Sequence, residues 1–514
     1  MLRELFDSVV SRQPQTLALI EGETRLSYAD LMSRSGRFAR YLVEELGLRR
    51  GDYVAVCLPN CWEVAAGFLA AAGIGAVWAP FHPQWRSREI AWLAGRVPLR
   101  ALVTNSLLQQ TWRDAAARPP GVVLIDDPAI QDRLLASAAP LATSPSMEDE
   151  VSVCFTTSGS TGRPRVALRT QANVLAAATS AATVLGVKHG TRILSAMPFH
   201  HAGGFENCLL VPLLFGATAV VLPSFTPAGA EAAVAQERVQ LLMGSPFIYS
   251  MLLESNANRA SFASVETAIS TGAPMAQDIA RRSEERLGLR VRQQYGTTET
   301  GVIAIQPRDT PFQPGIAGHP VASAEVHILD ERGECLGLGC NGEVAVAGPG
   351  VVTGYLNEPD LNQELFRDGF FRTGDLGRLD ASGTLILCGR SKTVLNIGGI
   401  KVDPAEIEGV LLEMPEVRDC IVCGVRDTRQ GEIVVATIGV RPGSTLSRQA
   451  VVAHCRRRMA EFKIPRRIEF VDAIAVEVTG KKPKAWGTEG DESHFKRDED
   501  APGDDAQRVR GKTG

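Results

Sequence analysis

The sequence predicts an α/β protein, on three observations. Short apolar runs rich in β-branched residues alternate with Ala- and Leu-rich stretches through most of the first 300 residues. From about 315 to 387 the texture changes to short strands broken by Gly, Asp and Asn turns, and past Gly389 a further strand–strand–helix unit begins. The alternation implies βαβ units and largely parallel sheets covered on both faces. The second texture is hairpin chemistry and predicts a small β-barrel-like subdomain. With 514 residues, one core would outgrow the usual domain limit, so subdivision is expected.

Taken in order, strands are predicted at 53–58, 76–80, 101–104, 122–125, 151–156, 193–197 and 219–222. Helices are predicted at 28–46, 63–72, 171–185 and 229–236. The N-terminal stretch carries Glu4 and Asp7 in an amphipathic helical pattern and has no apolar signal core. The uncharged runs 64–81 and 209–225 are interrupted by Gly or Pro, and each reads as a buried helix followed by a buried strand, not as a membrane span. Within the β-rich segment, Asp380 to Gly383 is a predicted turn. The C-terminal unit holds strands at 421–425 and 432–440, a helix at 448–459, and an end near Trp486. The polar Gly/Asp-rich stretch 487–514 reads as a disordered tail.

Composition narrows the partners. Hydrophobic residues at 45% and charged residues at 22% are those of a globular chain. A net charge of −4 argues against nucleic-acid or anionic-membrane binding through bulk charge. The ten cysteines lie far apart and read as reduced, mostly buried thiols of a cytoplasmic protein. Three apparent motifs are set aside. Gly337 to Gly342 matches GxGxxG but leads into a strand, so it is a turn. Gly511-Lys-Thr513 lacks the first glycine of a phosphate loop, with Ala506 in that place. Cys420 and Cys423 lie in an apolar strand, where thiols three apart face opposite ways.

Two segments carry chemistry. Phe155 to Arg165 follows a predicted buried strand and combines hydroxyls, two glycines and two arginines. Glycines let backbone amides turn toward an anion, Ser and Thr add donors, and Arg adds a fixed charge. A triphosphate needs these groups; a solvated Ser/Thr-rich loop is the plainer alternative. Gln294 to Gly301, again after a short apolar strand, sets Glu299 among hydroxyls. Such a carboxylate can hold Mg²⁺ through oxygen, and the Tyr295 face can stack on a base.

The two segments, in this order and spacing, resemble the ANL superfamily of adenylate-forming enzymes, which includes acyl- and aryl-CoA synthetases, adenylation domains and luciferases. The match extends over nearly the whole chain. Met197 to Gly204 (MPFHHAGG) resembles the histidine-bearing acyl-site segment, and Thr271 to Pro274 the adenine-side loop. Phe371 to Asp375 resembles the ribose-binding segment, Gly389 to Lys392 the hinge, and Gly398 to Glu408 the segment after it. Thr479 to Lys481 resembles the motif of the catalytic lysine.

The resemblance implies a large N-terminal domain, 1–390, of two βα-layered subdomains plus the β-rich one, followed by a small mobile α+β domain, 391–486. It implies ATP, Mg²⁺ and CoA as the small molecules used, and a carboxylic acid as substrate. By family position Thr157, Ser158, Gly159, Ser160, Thr161 and Gly162 wrap the β- and γ-phosphates and Arg165 pairs with them. Gly272, Ala273 and Pro274 flank adenine with Tyr295, and Gly296 and Thr297 belong to the nucleotide site; Thr298 touches the α-phosphate, and Glu299 helps hold Mg²⁺. Asp375 accepts the ribose hydroxyls, with Arg390 nearby. Lys481 reaches across the domain boundary to the acyl carboxylate, Lys392 is the hinge, and Gly398 and Gly399 line a thiol tunnel. On residues alone, Lys481 in its KKPK cluster reads as a solvated lysine and the paired glycines as a turn.

Some positions depart from the family pattern. The phosphate loop usually ends Pro-Lys-Gly and here reads Pro164-Arg165-Val166; arginine is planar and bulkier, and valine restricts the backbone. The frequent acidic residue after the hinge lysine is Thr393, and KPKAWGTEG replaces the usual basic-apolar continuation beyond Lys481. Amino-acid-activating relatives place an aspartate in the acyl-site segment. Here PFHHAGGFENC has none, and a buried unpaired ammonium would be costly, so an acid without an α-amine is expected. His201 reads either as a group orienting the carboxylate or as a hydrogen-bonded core histidine. The expected activity is acid–thiol ligation to CoA. Rival readings are loading of a carrier-protein phosphopantetheine, an amide-forming or luciferase-like reaction, and nucleotide binding without catalysis.

Overall fold

The structure is a computed structural model. It describes residues 1–83, 85, 87–115, 119–135, 147–158, 164–308, 310–390, 395–397, 400–402, 404–427, 431–459, 461–472 and 474. The described residues fall into two compact units that divide after residue 394.

Two sheets build the first unit. One has six strands in the order Gly121–Leu124, Leu99–Thr104, Tyr53–Val56, Val77–Pro80, Val151–Ser158 and Pro164–Thr170. All its pairings are parallel except the last, a hairpin. The second sheet has fourteen strands. Its parallel part runs from Leu17–Glu21 through Thr218–Val221, Arg192–Ser195, Leu241–Gly244 and Thr267–Ser270 to Val291–Thr297. From there antiparallel strands carry the hydrogen-bonded path on through Gly301–Ile305 and Ile316–Pro320 into the β-rich segment ending at Leu385–Arg390.

The strands and helices of the α/β region form where apolar periodicity predicts them, with ends shifted by no more than two residues. Helix Gln171–Leu185 starts on a capping box: Thr170 Oγ1 accepts the Asn173 amide while the Asn173 side chain accepts the Thr170 amide. Helix Trp62–Ile74 is buried along its whole length, which explains its lack of charge after Glu63. A Cβ at its Gly67 would stand 2.4 Å from the Trp78 ring, so the helix lies against its own following strand only because that residue is glycine. The run 209–225 likewise resolves into a buried helical turn and the buried strand Thr218–Val221. Among the described residues, no helix is long and apolar enough to cross a membrane.

The turn at Asp380 to Gly383 forms as predicted: the Asp380 carbonyl accepts the Gly383 amide, and Gly383 takes φ +80°. Residues 337–341 make a loop that leads into strand Gly342–Ala347. All ten cysteines are free, and six are buried. Cys420 and Cys423 share strand Val417–Asp427, Cys420 turned inward and Cys423 half-buried.

The second unit is a five-stranded sheet with helices Pro404–Leu412 and Arg448–Arg456. Its core gathers Ile407, Leu411, Val417, Val434, Ile438 and Val451. Residues 475–514, including the tail expectation, lie outside the described residues.

Candidate active site

The candidate site residues of the first unit lie where strands of both sheets end. Asn60, in the loop after Tyr53–Val56, ties the two sheets together there. Its amide nitrogen donates to the Ser195 and Met197 carbonyls at 3.3 and 2.9 Å, and its oxygen accepts the Phe199 amide at 2.8 Å. Carboxyl ends of parallel strands are where open α/β sheets present ligand-binding loops.

The hydroxyl-rich segment starts on a strand, not after one. Val151–Ser158 extends through Thr157 and Ser158, and the returning strand pairs Thr157 with Arg165 and Ser158 with Pro164. Gly159, Ser160, Thr161 and Gly162 lie outside the described residues. The departure at Val166 is explained by burial: it is a β-branched strand residue inside the core under the first sheet.

The second cluster also differs from its expected position. Tyr295, Gly296 and Thr297 belong to strand Val291–Thr297, because an antiparallel partner, Gly301–Ile305, extends the pairing past the parallel neighbour. The turn between them depends on glycine. A Cβ on Gly296 would stand 2.3 Å from the Gly301 carbonyl oxygen. Gly301 takes φ +68°, and its Cβ would meet Ala177, Glu206 and Arg169 at 2.7–3.0 Å.

Two residues with no sequence signature join these clusters. The first is Tyr355, whose backbone bridges Ala167 on the hairpin. Its hydroxyl donates to Glu299 Oε1 at 2.7 Å, and the Arg165 guanidinium lies 5.6 Å from its ring centroid. Burial, reinforced by the neighbouring Glu299 carboxylate and opposed by Arg165, raises the Tyr355 hydroxyl far above the usual phenol range, so it stays a donor.

The second is Arg169, fully buried on the same strand. Its Nε lies 2.6 Å from Glu206 Oε1, and Nη1 donates to the Thr298 carbonyl at 3.0 Å. It ties together the hairpin stem, the Thr298–Glu299 turn and the segment after the histidines. Burial raises the Glu206 carboxyl and the Arg169 charge pulls it back down.

On the other flank, the Tyr295 hydroxyl donates to Asp375 Oδ2 at 2.5 Å. Asp375 is buried on Phe370–Leu379, opposite the backbone of Arg390. Gly272 takes φ +86° in the loop after Thr267–Ser270. The Gln293 side chain holds that loop, donating to the Ser270 and Ala273 carbonyls at 3.3 and 3.2 Å and accepting the Met275 amide at 3.2 Å. Pro274 follows within the same span. Gln293 is a further residue that the sequence did not single out.

His201 lies in the turn after Arg192–Ser195, with His200 beside it and His82 across from both. Burial, then the neighbouring His201 and His82, holds His200 well below the usual imidazole range, so it is neutral. Lys392, Gly398, Gly399 and Lys481 lie outside the described residues.

Two family matches cover most of the chain. The AMP-binding enzyme family matches residues 6–356, and the AMP-binding enzyme C-terminal domain matches 406–481. The chain belongs to the AMP-binding enzyme family. Within it, a medium-chain fatty-acid–CoA ligase of Escherichia coli is 28% identical over 505 residues, covering 94% of this chain and 89% of that one. A feruloyl-CoA synthase of Amycolatopsis is 32% identical over 471 residues, covering 91% and 94%. Among solved structures, ATP-bound MatB from Rhodopseudomonas palustris superposes with a TM-score of 0.87 at 28% identity, covering 93% of this chain and 97% of that one. This AMP-binding enzyme is a member of the ANL superfamily, as its motifs indicate, and has that superfamily's fold.

Proposed function

We propose that the chain is an ATP-dependent acid–thiol ligase. It adenylates a carboxylic acid lacking an α-amine and transfers the acyl group to CoA, releasing AMP and pyrophosphate. The observation that carries this reading is Tyr355, which sets Arg165 beside one side of its ring and Glu299 at its hydroxyl. A polyphosphate chain needs both a cation and a metal-holding carboxylate, and Tyr355 touches one of each.

In the first step a carboxylate oxygen attacks the α-phosphorus in line and the bond to pyrophosphate breaks. Two anions must meet, so the site's task is orientation and positive charge. Thr157 to Gly162 and Arg165 hold the outer phosphates, and Thr298 touches the α-phosphate. Tyr295 and the Gly272 to Pro274 loop flank adenine. Asp375, whose orientation the Tyr295 hydroxyl fixes, accepts the ribose hydroxyls, with Arg390 nearby. Glu299 suits Mg²⁺, since a carboxylate among Thr hydroxyls is an all-oxygen donor set and Tyr355 fixes its direction. When bound, that ion neutralises phosphate charge. Lys481 supplies the cation on the acyl side.

In the second step the thiolate attacks the acyl carbonyl and AMP leaves with the bonding electrons. Lys392 is the hinge between the steps, and Gly398 and Gly399 line the thiol's path.

Glu206 supports the choice of acid. It is the carboxylate nearest in sequence to the acyl-site histidines, and Arg169 already pairs with it, so it is not there to meet a substrate ammonium. The substrates named for the relatives, a medium-chain fatty acid and ferulate, also lack an α-amine.

Pyrophosphate release over a panel of fatty, aryl and alicyclic acids, with and without CoA, tests the reading. Acid-dependent release with CoA-dependent thioester is expected. ATP binding without acid-dependent release would sink it in favour of a non-catalytic nucleotide binder.

A further inference from the structure

We infer that His82, His200 and His201 form a site for a divalent transition-metal ion such as Zn²⁺. One ring nitrogen from each lies within 4.8 Å of the others. The ring centroids of His82 and His200 are 4.3 Å apart, and those of His200 and His201 are 4.5 Å apart, tilted by 56° and 51°. Such tilts let nitrogens converge in a way that flat stacking would not.

The backbone fixes the arrangement. His82 follows the carboxyl end of Val77–Pro80, and His200 and His201 follow Arg192–Ser195, whose exit Asn60 clamps. Trp85 stacks on His82, centroids 6.4 Å apart and planes within 18°. The Nε2 of His200 is buried and has no hydrogen-bond partner among the described residues. A buried ring nitrogen without a partner costs free energy unless something fills its lone pair or takes its proton. A metal ion meets that need.

Imidazole nitrogen suits zinc, copper and nickel, and three such ligands leave the fourth tetrahedral position open. Metal–nitrogen bonds of about 2.0–2.1 Å set tetrahedral nitrogens roughly 3.4 Å apart. Closing the present spacing, at most 4.8 Å, to that value needs ring movements of about 1.4 Å or less. The open position is left for water or for an oxygen or sulfur of a small molecule. Ion binding at these rings does not depend on the ligase reading.

Equilibrium dialysis of the full-length protein against Zn²⁺, and Co²⁺ titration followed by visible absorption, test the site. One ion per chain and the intense d–d bands of tetrahedral Co²⁺ are expected. Losing one partner outside the ligand shell costs about 10–100-fold in affinity, so His82→Ala and His200→Ala should each weaken binding by more than ~100-fold. His319→Ala, on an exposed strand position, leaves it unchanged. Circular dichroism of His82→Ala guards against a folding defect. No bound ion in the unaltered protein, or undiminished Co²⁺ bands in folded His82→Ala, would overturn the assignment.

Discussion

Tyr355 and Glu299 are 56 residues apart and meet through one 2.7 Å hydrogen bond between buried side chains. The tyrosine arrives on the loop that pairs with the hairpin, through the Leu168 amide to Gly354 and the Leu356 amide to Val166, so its hydroxyl is held by backbone on both sides. Helix Pro359–Leu365 locks it further, the Asn362 side chain accepting the Tyr355 amide at 2.7 Å and donating to its carbonyl at 2.9 Å. The carboxylate proposed to hold Mg²⁺ is therefore aimed by a residue whose position depends on the hairpin of Val151–Ser158 and Pro164–Thr170.

Tyr355→Phe removes that hydroxyl and leaves the ring packing intact. A hydrogen bond to a charged group is worth about 1.5–3 kcal/mol, so acid-dependent pyrophosphate release should fall roughly 10- to 100-fold. The Mg²⁺ concentration for half-maximal rate should rise with it. An unchanged Mg²⁺ profile would separate Tyr355 from the metal-holding role.

Arg169 and Glu206 give a test that parts stability from activity. Breaking a buried pair leaves one charge uncompensated, at a cost of about 3–5 kcal/mol, and Arg169→Met should show that loss in denaturant unfolding. Adding Glu206→Leu removes the stranded carboxylate and should restore much of the stability. Activity should stay low in the double variant, because the Thr298 carbonyl still lacks its Arg169 donor. Full recovery of both would mean that the pair has no bearing on the Thr298–Glu299 turn.

Lys481→Ala should lower adenylation ~10²–10³-fold, the scale of losing one preorganised charge partner. Lys392→Pro should spare adenylation and impair thioester formation. Acid-dependent pyrophosphate exchange and CoA thioester yield, measured on both variants, decide these roles. Near-normal exchange in Lys481→Ala, or equal loss of both steps in Lys392→Pro, would remove the assignment concerned.

Glu21 predicts a pH dependence of folding. Burial, with Glu63 adding to it, pushes its carboxyl from the ordinary 4.5 up to about 7, even though the Trp62 amide donates to it at 2.8 Å. Between those values the unfolded chain releases the proton and the folded chain keeps it. The stabilising contribution is therefore complete below the ordinary value and is lost as pH rises through the folded one. Glu21→Gln keeps an acceptor for Trp62 without the proton. Relative to it, the unaltered protein should lose stability between about pH 4.5 and about pH 7 in denaturant melts. A constant difference across that range would show that Glu21 titrates normally in the fold.

The sequence by itself determined the elements and the loops. Apolar periodicity marked the strands and helices, Gly383 marked a turn, and hydroxyl–glycine chemistry marked the Phe155 to Arg165 and Tyr295 to Glu299 stretches. Those signals are local: each lies in the spacing of a few neighbouring residues. Tertiary structure alone decided which side chains orient the candidate groups. Tyr355, Arg169, Gln293 and Asn60 act on partners set beside them by sheet register and strand order, as with Arg169 and Thr298, 129 residues apart, or Tyr295 and Asp375, 80 apart. A lone tyrosine or arginine carries no spacing pattern of its own. Its role exists only once packing removes water and leaves it one charged neighbour.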